Sequence, residues 1–279
     1  MERVNDIIGI ADISASRQRL RVSGDDRADF LHGQCTNDIK RLAVGESCYA
    51  AFLNAKGKMR GEGQIIHLED AFWLEVNPGL AQSLEKFIIT EDVTIEDLSA
   101  TRGEWMMIGD TAASLPPRAI TFPHPLGRGV IGEGSMTATI SADMLEVLRI
   151  EAAVPKWGVD MDESTIPNEA GLETRAISYD KGCYIGQETI ARIKTYGHVN
   201  RQLVQMTIVS SGSATAPVAV VGDRIFEGAR EVGHVTSAAH SLRLGKPLAL
   251  GYVRREFART GVKLTCNNEP VEVLRVCGE

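Results

Sequence analysis

The sequence predicts an α+β protein in two parts, a mixed N-terminal domain and a small C-terminal β-barrel. Up to about residue 200, alternating strand patterns are interspersed with helical segments that have one apolar face. Beyond that point, six short β-type runs follow one another without a long helix, and turn signals such as Gly222-Asp223 and Asn267-Asn268 separate them. Because such a series of short strands is typical of a barrel or sandwich, we place the domains at 1–200 and 201–279.

Length and composition indicate an ordinary globular protein of more than one packed unit. The chain has 279 residues, of which 43% are hydrophobic and 24% are charged, so two or three units are expected. No apolar run approaches the roughly 20 residues that span a bilayer, and the N-terminus has no signal-peptide core. We therefore expect a cytoplasmic protein without a membrane partner. The formal charge of −7 argues against a nucleic-acid partner, which usually requires a basic face.

The cysteines and histidines form no disulfide or metal pattern. Five cysteines are an odd number, and none of them belongs to a C-x-x-C motif. The six histidines have no recognisable metal-ligand spacing. We therefore predict reduced thiols and no metal centre in the isolated chain. The cysteines are Cys35, Cys48, Cys183, Cys266 and Cys277.

A strand, a helix and a polar turn are expected first. Residues 18–23 alternate like a strand, and the turn after them leads into a helix with Phe30 and Leu31 on its apolar face. The segment Thr36-Asn37-Asp38 follows this helix. Its side chains can bond their own backbone, so we favour a structural role for it over a ligand-binding role.

A β-hairpin and three further strands are expected next. Apolar runs at 49–54 and 58–66 flank a short glycine-containing connection, which predicts the hairpin. A third strand at 71–77 follows, and Pro78 then begins a helix. Residues 93–108 suggest two more strands.

Residues 114–134 are predicted to be a loop because four prolines interrupt them. Within this loop, residues 127–132 satisfy the pattern G-x-G-x-x-G. A dinucleotide-binding site requires a strand before this pattern and a helix after it, so we reject that interpretation here. A helix at about 141–152 follows, with Met144, Leu145 and Leu148 on one face.

The octet Lys181-Gly182-Cys183-Tyr184-Ile185-Gly186-Gln187-Glu188 is the segment that most clearly indicates chemistry. From Gln187 the chain has a helical pattern that we expect to end at Gly197. Cys183 then precedes a helix N-terminus and follows the Lys181 ammonium, and both features favour its thiolate. The alternative is a small buried residue in a tight turn, since free cysteine is among the most buried residue types.

Six strands are expected in the C-terminal domain. Each is a short apolar or alternating run that turn residues separate from the next. They are 203–209, 216–221, 232–236, 248–253, 262–266 and 271–276.

The octet resembles the signature of the folate-binding YgfZ proteins, relatives of the glycine-cleavage T-protein (aminomethyltransferase) that assist iron–sulfur cluster enzymes. Further similarities to the T-protein family are the T-N-D segment, Arg149-Ile150-Glu151-Ala152 and Gly233-His234-Val235-Thr236-Ser237. The resemblance implies an aminomethyltransferase-like fold with two lobes, followed by a C-terminal barrel. It also implies a central cavity that binds tetrahydrofolate or a one-carbon derivative, with the octet at its rim.

The resemblance also assigns residues to this cavity. Glu62 takes the position of an aspartate that is essential to aminomethyl transfer, and its extra methylene displaces the carboxylate by roughly 1 Å, enough to affect positioned chemistry. Arg149 and Glu151 match an element whose arginine lies beside the folate. Glu133, flanked by glycines, is similar to a glutamate that binds the pterin. For Glu62 and the Arg149/Glu151 pair, a solvated strand or helix residue is the alternative.

The octet supplies the remaining candidates. The resemblance implies folate contact for Tyr184 and a functional thiol at Cys183. A folate also needs cations for its glutamate tail, and Arg149, Lys181 and Arg192 are the candidates.

Three functional hypotheses follow. The first is a folate-binding accessory factor without steady turnover, whose Cys183 serves iron–sulfur enzymes or cluster-assembly proteins as transient partners. The second is a tetrahydrofolate-dependent one-carbon transferase or demethylase that uses Glu62. The third is an adaptor that kept the fold and lost the ligand. The octet favours the first over the second, because a reactive thiol has no role in aminomethyl transfer, and the retained Glu62 and Arg149 argue against the third.

Overall fold

The computed structural model describes residues 7–208 and 219–279, and this part of the chain divides into two compact units. The first unit contains the described residues up to Ala142 together with Arg175–Arg192. The second contains Asp143–Thr174 together with the described part of Ile193–Glu279. Each unit has buried apolar clusters of its own.

The described strands of the first unit form two antiparallel sheets. They are β1 (Gly9–Asp12), β2 (Gln18–Ser23), β3 (Ser47–Leu53), β4 (Met59–His67), β5 (Phe72–Val76), β6 (Thr94–Asp97), β7 (Gly103–Ile108), β8 (Ile120–His124) and β9 (Gly127–Gly132). One sheet has the order β3-β4-β5-β2-β6, and the other has the order β1-β7-β9-β8. The predicted strand at 18–23, the hairpin, the strand at 71–77 and the two strands within 93–108 are confirmed.

Five α-helices accompany the strands in the described residues. They are α1 (Arg27–Gln34), α2 (Leu80–Glu85), α3 (Ala142–Glu151), α4 (Glu173–Ala176) and α5 (Gln187–Tyr196). The predicted helix at 141–152 is α3, and the helix after the octet is α5, which ends directly before Gly197 as predicted.

Strand alternation gives the five-stranded sheet two different faces. Leu20, Ile65 and Leu74 point to one face and form a core with α1 and α2. The neighbouring positions point to the other face, and there β2, β4 and β5 bear buried charged residues, Arg19, Glu62 and Glu75. On that second face Ile66 and Trp73 pack against Phe122 and Ile131 of the other sheet. The charged residues are therefore enclosed between the two sheets of the first unit.

The loop prediction for 114–134 is wrong in part, because β8 and β9 lie within it. The strand β8 lies at the edge of its sheet, where Pro123 removes no hydrogen bond that the sheet needs. Gly129 of β9 is opposite Phe122, and a Cβ there would lie 2.1 Å from the phenylalanine ring. The glycines of the G-x-G-x-x-G pattern therefore allow close strand packing.

The second unit contains a closed six-stranded barrel, as predicted, with the order β10-β13-β12-β11-β14-β15. Its strands are β10 (Arg201–Ile208), β11 (Arg224–Glu227), β12 (Arg230–Ser241), β13 (Lys246–Arg254), β14 (Lys263–Cys266) and β15 (Glu269–Val276). The strand expected at 216–221 lies partly outside the described residues, and its described part is not a strand. The sixth strand of the barrel is β11 instead. It was not predicted from the sequence because its apolar centre is only two residues long, Ile225 and Phe226, and lies between charged residues.

Candidate folate site

A buried carboxylate on β4 is the centre of the candidate site. Glu62 accepts hydrogen bonds from the Tyr49 hydroxyl at 2.6 Å and from Arg17 Nη1 at 2.6 Å, and its side chain is 4% exposed. Its backbone N–H donates to Asn77 Oδ1 at 2.9 Å. Burial opposes a charge here, but Arg17 and Tyr49 hold the pKa of Glu62 below its ordinary value. The carboxylate is therefore fixed and ionised.

Two further buried glutamates surround this centre. Glu75 accepts a hydrogen bond from Arg17 Nε, yet burial raises the pKa of Glu75 above its ordinary value against that opposing charge. The carboxyl group of Glu104 on β7 contacts that of Glu75, and Arg19 Nη1 lies 3.7 Å from Glu104 Oε2. Burial and then Glu75 raise the pKa of Glu104 well above its usual range. Burial therefore favours the neutral form of Glu104.

An arginine and a histidine complete the cluster. The guanidinium carbon of Arg175 on α4 lies 3.7 Å from the centre of the Tyr49 ring, a stacked cation–π contact. His124 Nδ1 accepts the Leu126 N–H at 3.1 Å. Burial, followed by the charges of Arg175 and Arg17, lowers the pKa of His124 to about 3. The imidazole is therefore neutral, and the cluster combines a fixed carboxylate with cations and neutral polar groups.

Sequence reasoning found Glu62 but missed the residues that hold it. One signal was available, because Glu75 interrupts an otherwise apolar strand and such a carboxylate is expected to be buried. Arg17 and Arg175 gave no local signal, since each lies outside the strands and acts on residues far away in the sequence. The missed residues are Arg17, Tyr49, Glu75, Glu104, His124 and Arg175.

The T-N-D segment anchors α4 to the sheet, through bonds to distant backbone groups rather than the local turn bonds that were expected. The Thr36 hydroxyl donates to the Ala176 carbonyl at 2.5 Å and accepts the Ala51 N–H at 2.9 Å. Asn37 Nδ2 donates to the carbonyls of Tyr49 at 2.8 Å and Arg175 at 3.3 Å. These bonds set the position of Arg175 relative to Tyr49.

The octet docks on the C-terminal end of α1 and on the β3–β4 turn. Lys181 Nζ donates to the carbonyls of His32 and Cys35 at 2.6 Å each, and so caps the last turn of the helix. Gly186 has φ +85°, and a Cβ there would lie 2.6 Å from the Asn54 carbonyl oxygen. Glycine is therefore required at this point of the octet. The Lys181 ammonium is also 4.9 Å from the centre of the Tyr184 ring.

Cys183 differs from the other four cysteines in its exposure. Its side chain is exposed, whereas Cys35, Cys266 and Cys277 are buried and Cys48 is half-buried. Burial raises the pKa of all four of these thiols, to about 12 for Cys48 and Cys277 and to about 11 for Cys266. The Lys181 ammonium donates to two backbone carbonyls of α1 and its end rather than to the Cys183 sulfur. Its stabilisation of the Cys183 thiolate stays a prediction.

Arg149 and Glu151 lie in the second unit, bonded to side chains of that unit. Arg149 donates to Asp160 Oδ2 at 2.7 Å, to Ser237 Oγ at 2.7 Å and to Glu146. Glu151 accepts from Ser241 and, at 2.7 Å, from Arg243. These partners join α3 to β12 and to the turn that follows it. The folate contacts that the resemblance implies for both residues stay predictions.

The other predicted residues have surface or local partners. Glu133 pairs with Arg102 and with Arg118 and is 39% exposed. Arg192 is exposed and pairs with Glu188 at 3.0 Å. Lys181, Cys183 and Tyr184 thus lie together in the octet, which Lys181 joins to the end of α1. Glu62 lies in the buried cluster of the same unit.

No group of three or more histidine, cysteine or acidic side chains in residues 7–208 and 219–279 is arranged to hold a metal ion. In the same residues, no helix is long and apolar enough to cross a membrane.

Two family models match the chain. The GCVT N-terminal domain matches residues 1–116, and the glycine cleavage T-protein C-terminal barrel domain matches residues 201–276. A crystal structure of glycine cleavage system aminomethyltransferase T from Bartonella henselae superposes with a TM-score of 0.79, covering 97% of this chain and 86% of that one at 19% identity. This similarity confirms the predicted aminomethyltransferase-like fold with its C-terminal barrel.

Relatives in sequence support the same assignment. A putative chloroplastic transferase from Arabidopsis thaliana is 26% identical over 90% of this chain, which spans 66% of that protein's length. The tRNA-modifying protein YgfZ from Escherichia coli O157:H7 is 28% identical over 91% of this chain and 85% of that protein. The chain therefore belongs to the aminomethyltransferase-like family that contains the glycine-cleavage T-protein and YgfZ.

Proposed function

We propose that this protein binds tetrahydrofolate or a one-carbon derivative and supports the assembly or repair of iron–sulfur enzymes. The observation that carries the proposal is Glu62, a buried, ionised carboxylate held by Arg17 and Tyr49 at the position where the T-protein family uses an aspartate. Burying an ionised carboxylate is unfavourable unless it is hydrogen-bonded, and three side-chain hydrogen bonds from Arg17 and Tyr49 keep Glu62 charged.

The polar groups around Glu62 suit a reduced pterin. Glu62 Oε1 has one close donor, Arg17, and a carboxylate oxygen can accept two, so it can receive an N–H of the ring. Gln64 Oε1, on the same strand face, and Arg175 Nε are buried without a hydrogen-bond partner among the described residues. A pterin has both donors and acceptors at its edge, which would satisfy such groups.

We assign the role in iron–sulfur maintenance to the octet, with Cys183 as the functional thiol. The exposed thiol lies two residues after Lys181, which anchors the octet to α1. The name of the Escherichia coli relative refers to tRNA modification. This chain has a net charge of −7, which does not suit direct binding to RNA. We therefore propose that any link to tRNA modification is indirect, through an iron–sulfur enzyme that this protein supports.

A one-carbon transferase is the second candidate, and Glu62 itself favours it. The family includes aminomethyltransferases, and the carboxylate is retained, although longer than aspartate by one methylene. Turnover of about 1 per second or faster with an aminomethyl carrier would promote this candidate over the first.

Calorimetric titration with tetrahydrofolate tests the proposal. Replacing Glu62 with Gln keeps the shape and removes the charge, and we expect affinity to fall about tenfold or more because a charge-assisted hydrogen bond is lost. Glu85→Gln, at an exposed glutamate of α2, is the matched control and is expected to bind like the wild type. Equal affinity in a folded Glu62→Gln protein would remove Glu62 from the site, and no binding by the wild type would contradict the folate proposal.

A further inference from the structure

Arg175 is a partly buried cation that forms no ion pair, although its charge helps to lower the pKa of Glu62. Among the described arginines that are not exposed, it is the one whose guanidinium makes neither an ion pair nor a hydrogen bond. Its Nε is buried and unbonded, and the contact made by its guanidinium is with the face of Tyr49. A guanidinium cannot lose its proton, so this charge persists in the site.

The lack of a partner is not the result of a loose segment. The Arg175 carbonyl accepts a hydrogen bond from Asn37, and the next carbonyl accepts one from Thr36, so the backbone directly after the Arg175 side chain is held by two bonds. The carboxylates nearby are already engaged, because Arg17 holds both Glu62 and Glu75. His124, which lies close enough for the Arg175 charge to lower its pKa, is neutral.

Tyr49 connects Arg175 to the proposed folate site. Its ring stacks on Arg175 while its hydroxyl donates to Glu62, so one aromatic side chain sets the positions of both charged groups. Stacking covers one face of the guanidinium and leaves its planar edge for a ligand. That edge matches the two oxygens of a carboxylate.

We propose that Arg175 binds the carboxylate of a ligand that occupies the site beside Tyr49 and Glu62. Two sources have this chemistry, the glutamate tail of a bound folate and a separate small carboxylic acid. In the first case the inference rests on the proposed folate function, and in the second case it is independent of it.

Binding measurements on Arg175→Met distinguish these sources. Methionine keeps an unbranched side chain that can cover Tyr49, and it removes the charge. The ligands are tetrahydrofolate and 6-methyltetrahydropterin, which has the reduced pterin but no carboxylate, both measured by calorimetry. Sodium acetate is the third probe. Its binding is measured as the rise in the protein's melting temperature in sodium acetate relative to sodium chloride at equal ionic strength. Arg128→Met is the control, at an exposed arginine of β9.

If the carboxylate belongs to folate, Arg175→Met weakens tetrahydrofolate binding about tenfold or more and leaves 6-methyltetrahydropterin binding unchanged. If it belongs to a separate acid, the variant keeps wild-type folate affinity and loses the acetate-specific rise in melting temperature. Variants at 175 and 128 that behave alike with all three probes would make Arg175 a structural cation and overturn the proposal.

Two results separate this inference from the folate proposal. A wild type that fails to bind tetrahydrofolate contradicts the proposed function, while the acetate comparison still decides the role of Arg175. Should Arg175→Met not fold, Arg175→Lys keeps the charge without the bidentate edge, and a smaller loss in the same direction is expected. The proposal would again be overturned if a folded Arg175→Lys protein bound every probe as well as the wild type does and bound 6-methyltetrahydropterin with the same affinity as tetrahydrofolate.

Discussion

The two units each contain a buried ionic cluster, and the clusters differ in how completely their polar atoms are bonded. In the second unit all three guanidinium nitrogens of Arg149 donate hydrogen bonds, to Glu146, Asp160 and Ser237. Asp160 accepts in turn from Thr236 at 2.5 Å. In the first unit, by contrast, Gln64 Oε1 and Arg175 Nε have no hydrogen-bond partner among the described residues.

This difference separates a cluster that holds the fold from one that can hold a ligand. A network whose members are all bonded gains nothing when a ligand arrives, and moving any member would break several bonds. Unbonded buried groups are costly in the free protein, so a ligand that bonds them recovers that cost. On this basis we propose the buried cluster around Glu62 as the ligand site and a structural role, joining α3 to the barrel, for the Arg149 network.

Arg149→Met tests the structural side of this comparison and should have the largest effect on stability. The substitution leaves the Asp160 carboxylate buried without its cation, and breaking a buried ion pair in this way costs about 3–5 kcal/mol. We expect a large drop in the urea midpoint, measured by circular dichroism. If Arg149 served folate instead, the variant would keep its stability and lose affinity.

The matched control for that experiment is Arg192→Met. Arg192 forms an exposed pair with Glu188 one helical turn away, and pairs of this kind are worth less than about 1 kcal/mol. A loss for Arg149→Met as small as for Arg192→Met would remove the distinction between the two clusters.

Glu104→Gln tests the incompletely bonded cluster through pH and should have an intermediate effect. The folded-state pKa of Glu104 is raised, so the stability it contributes is fully present below its unfolded pKa of about 4.5 and is lost as pH rises towards the folded value. Glutamine is neutral at every pH and escapes this loss. We therefore expect the variant to become more stable than the wild type as pH rises above about 4.5, by at most about 1.4 kcal/mol per pH unit.

Urea unfolding at pH 5, 6, 7 and 8 measures this difference. Glu85→Gln is again the control, and its difference from the wild type should stay constant over the series because the side chain is exposed. A constant difference for Glu104→Gln as well would mean that Glu104 is ionised in the folded protein.

How well each region could be predicted from sequence follows from the range of its interactions. Strand alternation and turn residues are local, so the β3–β4 hairpin, α5 and five of the six barrel strands were predicted correctly. The strand β8 was missed because its prolines are tolerated at a sheet edge, and edge position depends on the order of the strands in space.

The site was harder to predict, because its contacts join distant parts of the chain. Glu62 was identified from the family resemblance, whereas Arg17 and Arg175 reach the site from outside the central strands. Nothing in their neighbours indicates that one pairs with Glu62 and the other stacks on Tyr49. The octet was assigned correctly to a helix start, but the Lys181 ammonium bonds two carbonyls of another helix, a contact that sequence spacing alone does not indicate.

Replacing the exposed Cys183 should have the smallest effect on stability of these substitutions, and this thiol differs from the buried Cys277 in its accessibility to reagents. Cys183→Ser should change the free energy of unfolding by no more than about 0.5 kcal/mol, because the side chain is exposed and hydroxyl and thiol are similar in size. Cys277→Ser buries a hydroxyl in the second unit and should cost about 1–3 kcal/mol. In the wild type, burial raises the pKa of the other four thiols, so iodoacetamide near neutral pH should label Cys183 first, as peptide mass spectrometry can measure.

The same pair of variants separates function from folding. If Cys183 is the functional thiol, cells with Cys183→Ser should recover iron–sulfur enzyme activity poorly after oxidative stress, although the protein is as stable as the wild type. Cys277→Ser should reduce that recovery only as far as it lowers the amount of folded protein, which immunoblotting measures. Full recovery with Cys183→Ser, together with labelling of Cys183 no faster than of Cys48, would return this residue to a purely structural role in the turn before α5.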